Sequence, residues 1–178
     1  MGKHKLSVRD FCHIGIFTAI IAALSQLSIP TPYGVPMTLQ SFAIPLAGVV
    51  LGAKKGTVST LIYVLLGLIG VPVFSGFSSG LGVVVGITGG FVFSFPLLAL
   101  TAGFGESKNN IVWLVLMLIT GATINFLCGM YWFSLIMSCD LKTSLAACVL
   151  PFIPTTIIKI ALVVLLGRQI KNVLYLIN

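Results

Sequence analysis

Lys159 is a cation set in an apolar run, Thr155-Thr156-Ile157-Ile158-Lys159-Ile160-Ala161-Leu162-Val163-Val164. A lysine at mid-bilayer costs roughly 2.5–3.5 kcal/mol on insertion scales. A residue kept at that cost calls for an anion, a water-filled cavity or a catalytic step, and a small carboxylate is the simplest partner. Pro151-Phe152-Ile153-Pro154 precedes it. Proline suits the first helical turn and threonine the N-cap. The last helix is therefore expected to start, or restart, near Pro154, with Lys159 about one turn inside its end. The free N–H groups of a helix start attract anions, so Thr155, Thr156 and Lys159 together describe a carboxylate site. The competing reading is a lysine that snorkels outward to water.

Two further stretches hold groups able to meet polar atoms. The glycine-rich run from Pro72 to Phe91 contains Thr88-Gly89-Gly90 directly before an apolar segment. A threonine hydroxyl and bare N–H groups there can hold a ligand, and Phe74, Phe77 and Phe91 can pack on an apolar ring. A plain tight turn explains the same residues. Gln40, in Thr38-Leu39-Gln40, and Asn125, in a long apolar run, suit an amide-like or ureido group; buried amides also simply join helices.

The elements that must position these groups follow from composition. The chain of 178 residues is 58% hydrophobic and 7% charged, against about 25% charged for a soluble domain. Apolar runs near 20 residues occur at approximately 9–29, 38–53, 55–71, 89–105, 110–136 and 144–171. The expected fold is all-α: one membrane-embedded domain over residues 1–178 with six transmembrane helices. Lys3, Lys5, Arg9, Lys54, Lys55, Lys108, Arg168 and Lys171 then share one face, which the positive-inside rule makes cytoplasmic, with both termini there. The uncharged stretches Pro30–Pro36 and Pro72–Thr88 fall on the other face and are expected to pack down over a pocket. Gly48, Gly52 and Gly56, and separately Ala19 and Ala23, recur at the small-residue spacing that lets helices approach. Gly82, Gly86 and Gly90 repeat it, but loop and helix-start roles are expected there.

Several function classes are excluded or disfavoured. The charge of +7 is spread between apolar runs and forms no basic face, so nucleic acid is not an expected partner. No G-x-x-x-x-G-K-[ST] run occurs, and Gly52-Ala53-Lys54-Lys55-Gly56 only superficially resembles one. Cys12, Cys128, Cys139 and Cys148 show no metal spacing and are expected to be mostly buried thiols. Asp10, Glu106 and Asp140 sit at span edges, so no intramembrane carboxylate relay is present. No catalytic constellation or resident cofactor is expected, and uphill transport would need a partner's energy.

Pro36-Met37-Thr38-Leu39-Gln40, Leu46 to Gly52, Tyr63 to Phe74, Gly80-Leu81-Gly82, Gly86 to Phe91, Gly129 to Trp132 and Pro151 to Lys159 occur in this order. As a set they resemble the BioY family, the biotin-binding membrane subunits (S components) of energy-coupling-factor (ECF) transporters, from about Ala19 to Leu166. The resemblance implies a six-helix subunit of a prokaryotic cytoplasmic membrane with a vitamin pocket near its outer face. It implies biotin as transported substrate, a transmembrane coupling (T) subunit, and two ABC ATPases that alone use ATP. It also implies that Ala19 and Ala23 form a docking surface and that Lys159 faces the valerate carboxylate. The family commonly has Gly-Asp where Thr155-Thr156 stands, and Tyr where Phe91 stands. The missing Asp leaves a lipoate-like acid or another vitamin open, beside a structural membrane subunit with no transport role.

Overall fold

The structure, a computed structural model, describes residues 7–176, with side chains to residue 173. Lys3 and Lys5, two of the expected cytoplasmic cations, lie outside the described residues.

Helix α1 (Val8–Ser25) starts where Ser7 and Asp10 cap each other's backbone N–H groups, a capping box. Asp10 also meets Lys55 at 2.5 Å. A two-residue antiparallel ladder, β1 (Ser28–Ile29) with β2 (Met37–Thr38), closes the loop between them. Helix α2 (Gln40–Leu68) follows. Then come the short α3 (Leu81–Val85), α4 (Gly89–Ser107), α5 (Ile111–Met137), α6 (Leu141–Cys148) and α7 (Ile153–Leu176). A 3₁₀ turn at Leu150–Phe152 separates α6 from α7.

The runs at 38–53 and 55–71 form the single element α2, broken in its middle. Gly52 has φ 80° and ψ 166°, a conformation closed to side chains with a Cβ. A Cβ placed on Gly56 would lie 2.6 Å from the Gly48 Cα. In a straight helix, residues eight apart are about 12 Å apart, so the chain turns back at Gly52 and its two arms touch through glycine. Gly48 also faces the Ala99 carbonyl of α4. The Gly48–Gly52–Gly56 series thus packs within this chain. Gly90 stands at a helix start, the second residue of α4, and also serves packing: a Cβ there would come within 2.3 Å of the Cys128 carbonyl, so it sets the approach of α4 to α5.

Helix α4 runs through the centre, between α2 and α5, and its Ala99 and Ala102 are fully buried with Ile44, Val49 and Leu114. Large apolar residues such as Phe11, Phe104, Leu116 and Leu165 face outward instead. Water would not tolerate that surface, whereas hydrocarbon does. Four helices (α1, α2, α4, α5) and the stretch Leu141–Val173 are long and apolar enough to cross a membrane. The protein is an all-α, multi-pass membrane protein. The cysteines depart from expectation for the same reason. Cys12 and Cys128 lie on the outward surface, only Cys148 is buried, and all four are free thiols.

Candidate ligand-binding cavity

A cavity of about 350 Å³ opens where α2 and α4 begin, within the usual range of roughly 300–1,000 Å³ for ligand pockets. Its walls come from Gly34–Pro36, the start of α2, the segment Phe74–Ser78, the α3 region, the first turns of α4, and Asn125, Phe126 and Phe152. The two uncharged stretches therefore do pack down over a pocket. A 3₁₀ turn and α3 give the second one shape, which its glycine content hides.

Of the sequence-derived candidates, Gln40, Phe74, Thr88, Phe91 and Asn125 line this cavity. Phe74 is almost fully buried and meets Tyr63 edge to face at 5.7 Å. Phe91 lies on the bare backbone of Gly129. The Thr88 hydroxyl donates to the Val83 carbonyl at 3.3 Å, so it ties α3 to α4. Gly89 and Gly90 do not line the cavity. A Cβ on Gly89 would strike the Val84 carbonyl and the Trp132 indole nitrogen, and both glycines serve helix packing. Phe77 is exposed. Thr155 is turned away, donating to the Phe152 carbonyl at 2.9 Å. Thr156 lines a side space of about 30 Å³ that shares Ser41, Asn125 and Phe126 with the main cavity. Ala19 and Ala23 are exposed on α1.

Lys159 is buried, 9% exposed, and does not snorkel. It is the seventh residue of α7, nearly two turns in; the helix begins at Ile153, one residue before the expected start at Pro154. Its Nζ donates to the Thr38 carbonyl at 2.7 Å and to Ser41 Oγ at 2.9 Å. Both acceptors line the cavity, so the ammonium stands directly behind its wall. The chain has three acidic side chains, and all are engaged elsewhere. Asp10 meets Lys55, Glu106 meets Arg168 and Lys171, and Asp140 caps α6. Two neutral oxygens hold the ammonium, and among the described residues no carboxylate balances it. Buried ions without a counter-charge are costly, so an anion is favoured here. One ammonium hydrogen remains, and the Ser41 hydroxyl, accepting from Lys159, keeps its own proton to donate.

The two amides have defined senses. Asn125 Nδ2 donates to the Phe91 carbonyl at 3.1 Å and to Ser94 Oγ at 2.8 Å. Both its hydrogens are used, and Oδ1 is left as an acceptor. Gln40 Oε1 accepts from the Thr38 hydroxyl at 2.9 Å, and Nε2 donates to Tyr63 Oη at 2.5 Å. One Nε2 hydrogen is left as a donor. The cavity thus shows one donor and one acceptor amide, aromatic walls, and a cation behind Ser41. Sequence reading missed Ser41 and Tyr63. Ser41 directly follows the Pro36–Gln40 motif, but nothing in its type announces a lysine 118 positions away.

The chain matches the model of the BioY family over residues 1–175. It is 34% identical to the probable biotin transporter BioY of Pyrococcus horikoshii, over 94% of this chain and 99% of that protein. It is 35% identical to the biotin transporter BioY of Thermotoga maritima, over 93% of this chain and 97% of that protein. A solved structure, the S-component for biotin from an ECF-type ABC transporter, superposes with a TM-score of 0.87 at 29% identity, covering 97% of this chain and 95% of that one. With its helical order, cavity and motifs on one continuous match, this chain belongs to the BioY family.

Proposed function

We propose that this protein is the biotin-binding S component of an ECF-type transporter and that the cavity at the start of α2 and α4 is its biotin site. The observation that carries this reading is the ammonium of Lys159, buried behind Thr38 and Ser41 with no carboxylate beside it among the described residues. Biotin has an apolar bicycle, a cyclic urea and a free carboxylate. The urea carbonyl would accept from Gln40, and a urea N–H would donate to Asn125 Oδ1. Phe74, Phe91, Phe95, Phe126 and Phe152 would enclose the bicycle. The valerate carboxylate would accept a hydrogen bond from the Ser41 hydroxyl, with the Lys159 charge behind it. Thr88 would shape the wall; Gly89 and Gly90 would support it from outside. Thr155 and Thr156 would fix the first turn of α7.

The turn at Gly52 supports a count of six membrane crossings, since each arm of α2 is then one crossing. The cations Lys54, Lys55, Arg168 and Lys171 gather at the end away from the cavity, as the positive-inside rule asks of a cytoplasmic face. The termini would lie there, and biotin would enter from outside. Uptake would draw on ATP used by two partner ATPases through a transmembrane coupling subunit. The exposed Ala19–Ala23 face of α1 is the proposed docking surface.

Equilibrium binding to the purified chain tests the receptor reading: biotin should bind saturably without ATP, and no saturable binding would exclude it. The docking proposal predicts that bulky residues at Ala19 and Ala23 abolish uptake and leave binding intact; retained uptake refutes it.

A further inference from the structure

We propose that Tyr63 sets the hydrogen-bonding sense of the cavity: its hydroxyl fixes the Gln40 amide so that it shows a donor, not an acceptor, to the ligand. The proposal rests on the biotin reading above. Tyr63 is fully buried, does not line the cavity, and lies on the arm of α2 that follows the Gly52 turn. A primary amide can present either its oxygen or its NH₂ to a given point, and little in the amide itself chooses between them.

The neighbours make the choice. Tyr63 O–H donates to the Val73 carbonyl at 3.2 Å. In this arrangement the single phenolic proton points at a carbonyl, which can only accept. The phenolic oxygen can then only accept, and the group opposite must be the Gln40 NH₂, at 2.5 Å. On its other side Gln40 Oε1 accepts from the Thr38 hydroxyl at 2.9 Å. Turning the amide over would set its oxygen against the phenolic oxygen unless the phenolic proton left the Val73 carbonyl. The Val73 carbonyl that fixes Tyr63 is itself held from α1, by the Ser25 hydroxyl and by Gln26 Nε2 at 3.1 Å. Val73 directly precedes the cavity-lining Phe74, so the same carbonyl anchors that wall. The Thr38 backbone carbonyl accepts from Lys159. Tyr63 thus anchors a connected set of bonds that reaches from the end of α1 to the buried ammonium.

Asn125 needs no such device, since the Phe91 carbonyl can only accept and the Ser94 hydroxyl gives its own proton to the Gly90 carbonyl. Gln40 does, because Thr38 alone could donate or accept. A site fixed as one donor and one acceptor suits a cyclic urea and disfavours a cyclic guanidinium, which carries only donors. Tyr63 is therefore a specificity-positioning residue, acting through Gln40 without touching the ligand.

Tyr63→Phe keeps the ring against Phe74 and removes only the hydroxyl. Biotin affinity should fall about tenfold, the scale of one buried hydrogen bond. The preference for biotin over its guanidinium analogue, 2-iminobiotin, should narrow by a similar factor, because the freed amide can now offer its oxygen. A purely structural role would weaken both ligands equally. An unchanged preference ratio overturns the proposal. In the double variant with Gln40→Leu, the loss should not exceed that of Gln40→Leu alone; multiplied losses also overturn it. Should the phenylalanine variant fail to fold, a ring-fluorinated tyrosine at position 63, a weaker acceptor, is expected to narrow the ratio in the same direction. A ligand-free arm separates this proposal from the biotin reading. The side-chain amide of Gln40, observed by ¹⁵N NMR in lipid nanodiscs, should rotate slowly in the parent protein and faster in the Tyr63→Phe variant. Equal rotation rates refute the role of Tyr63 whatever the ligand proves to be.

Discussion

At the end of the bundle near the Gly52 turn, Glu106 is 4% exposed and meets two cations, Arg168 Nε at 3.2 Å and Lys171 Nζ at 2.9 Å. At the end where α2 begins, Lys159 is 9% exposed and meets a carbonyl and a hydroxyl. Both ends bury charge, but one supplies the counter-charge from its own chain and, among the described residues, the other does not. A charge balanced internally holds helices together, here α4 to α7. A charge balanced only by neutral dipoles is poised for an outside anion. The difference separates a structural ion cluster from a binding site more sharply than burial does.

The largest effect expected from breaking this contrast is at the balanced end. Glu106→Ala would leave Arg168 and Lys171 beside each other without their carboxylate. Removing one member of a buried pair typically costs roughly 3–5 kcal/mol. The two cations retain 28% and 24% exposure, so about 3 kcal/mol is expected, the low end of that range. Thermal unfolding in detergent should show a lower midpoint, while biotin affinity of the folded fraction stays unchanged. Lys159→Ala should do the reverse. It should lower affinity for the free acid about 100-fold, equivalent to about 2.7 kcal/mol, and affinity for the neutral biotin amide only slightly. The unfolding midpoint should hold or rise, because an unbalanced buried charge is gone. Equal losses for acid and amide, or a destabilised Lys159→Ala, would erase the distinction between the two ends.

Much of this division is legible in sequence where the bilayer makes a residue costly. Lys159 stands out because lysine in an apolar run has few cheap explanations, and Gln40 and Asn125 stand out for the same reason. The paired runs around Lys54-Lys55 announce two short segments, although only the backbone at Gly52 reveals how sharply the chain returns. Gly89 and Gly90 illustrate the opposite case. A glycine that frees an N–H for a ligand and one that admits a neighbouring helix read identically, and here Cys128 and Trp132 press against the backbone. The roles of Ser41 and Tyr63 are not legible in sequence because they depend on partners set by tertiary packing: Lys159 for one, Gln40 and Val73 for the other. Glu106 read as an edge residue, since its cations are 62 and 65 positions away.

The smallest expected effect sharpens the contrast instead of breaking it. Thr156 precedes Lys159 by three positions on α7, the spacing at which side chains on a helix meet. It also lines the side space that touches Ser41. Thr156→Asp would supply the missing counter-ion from within the chain and make the cavity end resemble the Glu106 end. The added carboxylate would compete with the ligand's for the ammonium and repel it, while leaving the urea contacts at Gln40 and Asn125 alone. The ratio of acid to amide affinity should therefore fall, by about threefold to tenfold for one partly screened like charge. Titration calorimetry with biotin and its amide reads that ratio directly. A ratio that stayed constant would mean that Lys159 is balanced by its dipolar neighbours alone, and that charge pairing does not decide which acids this cavity accepts.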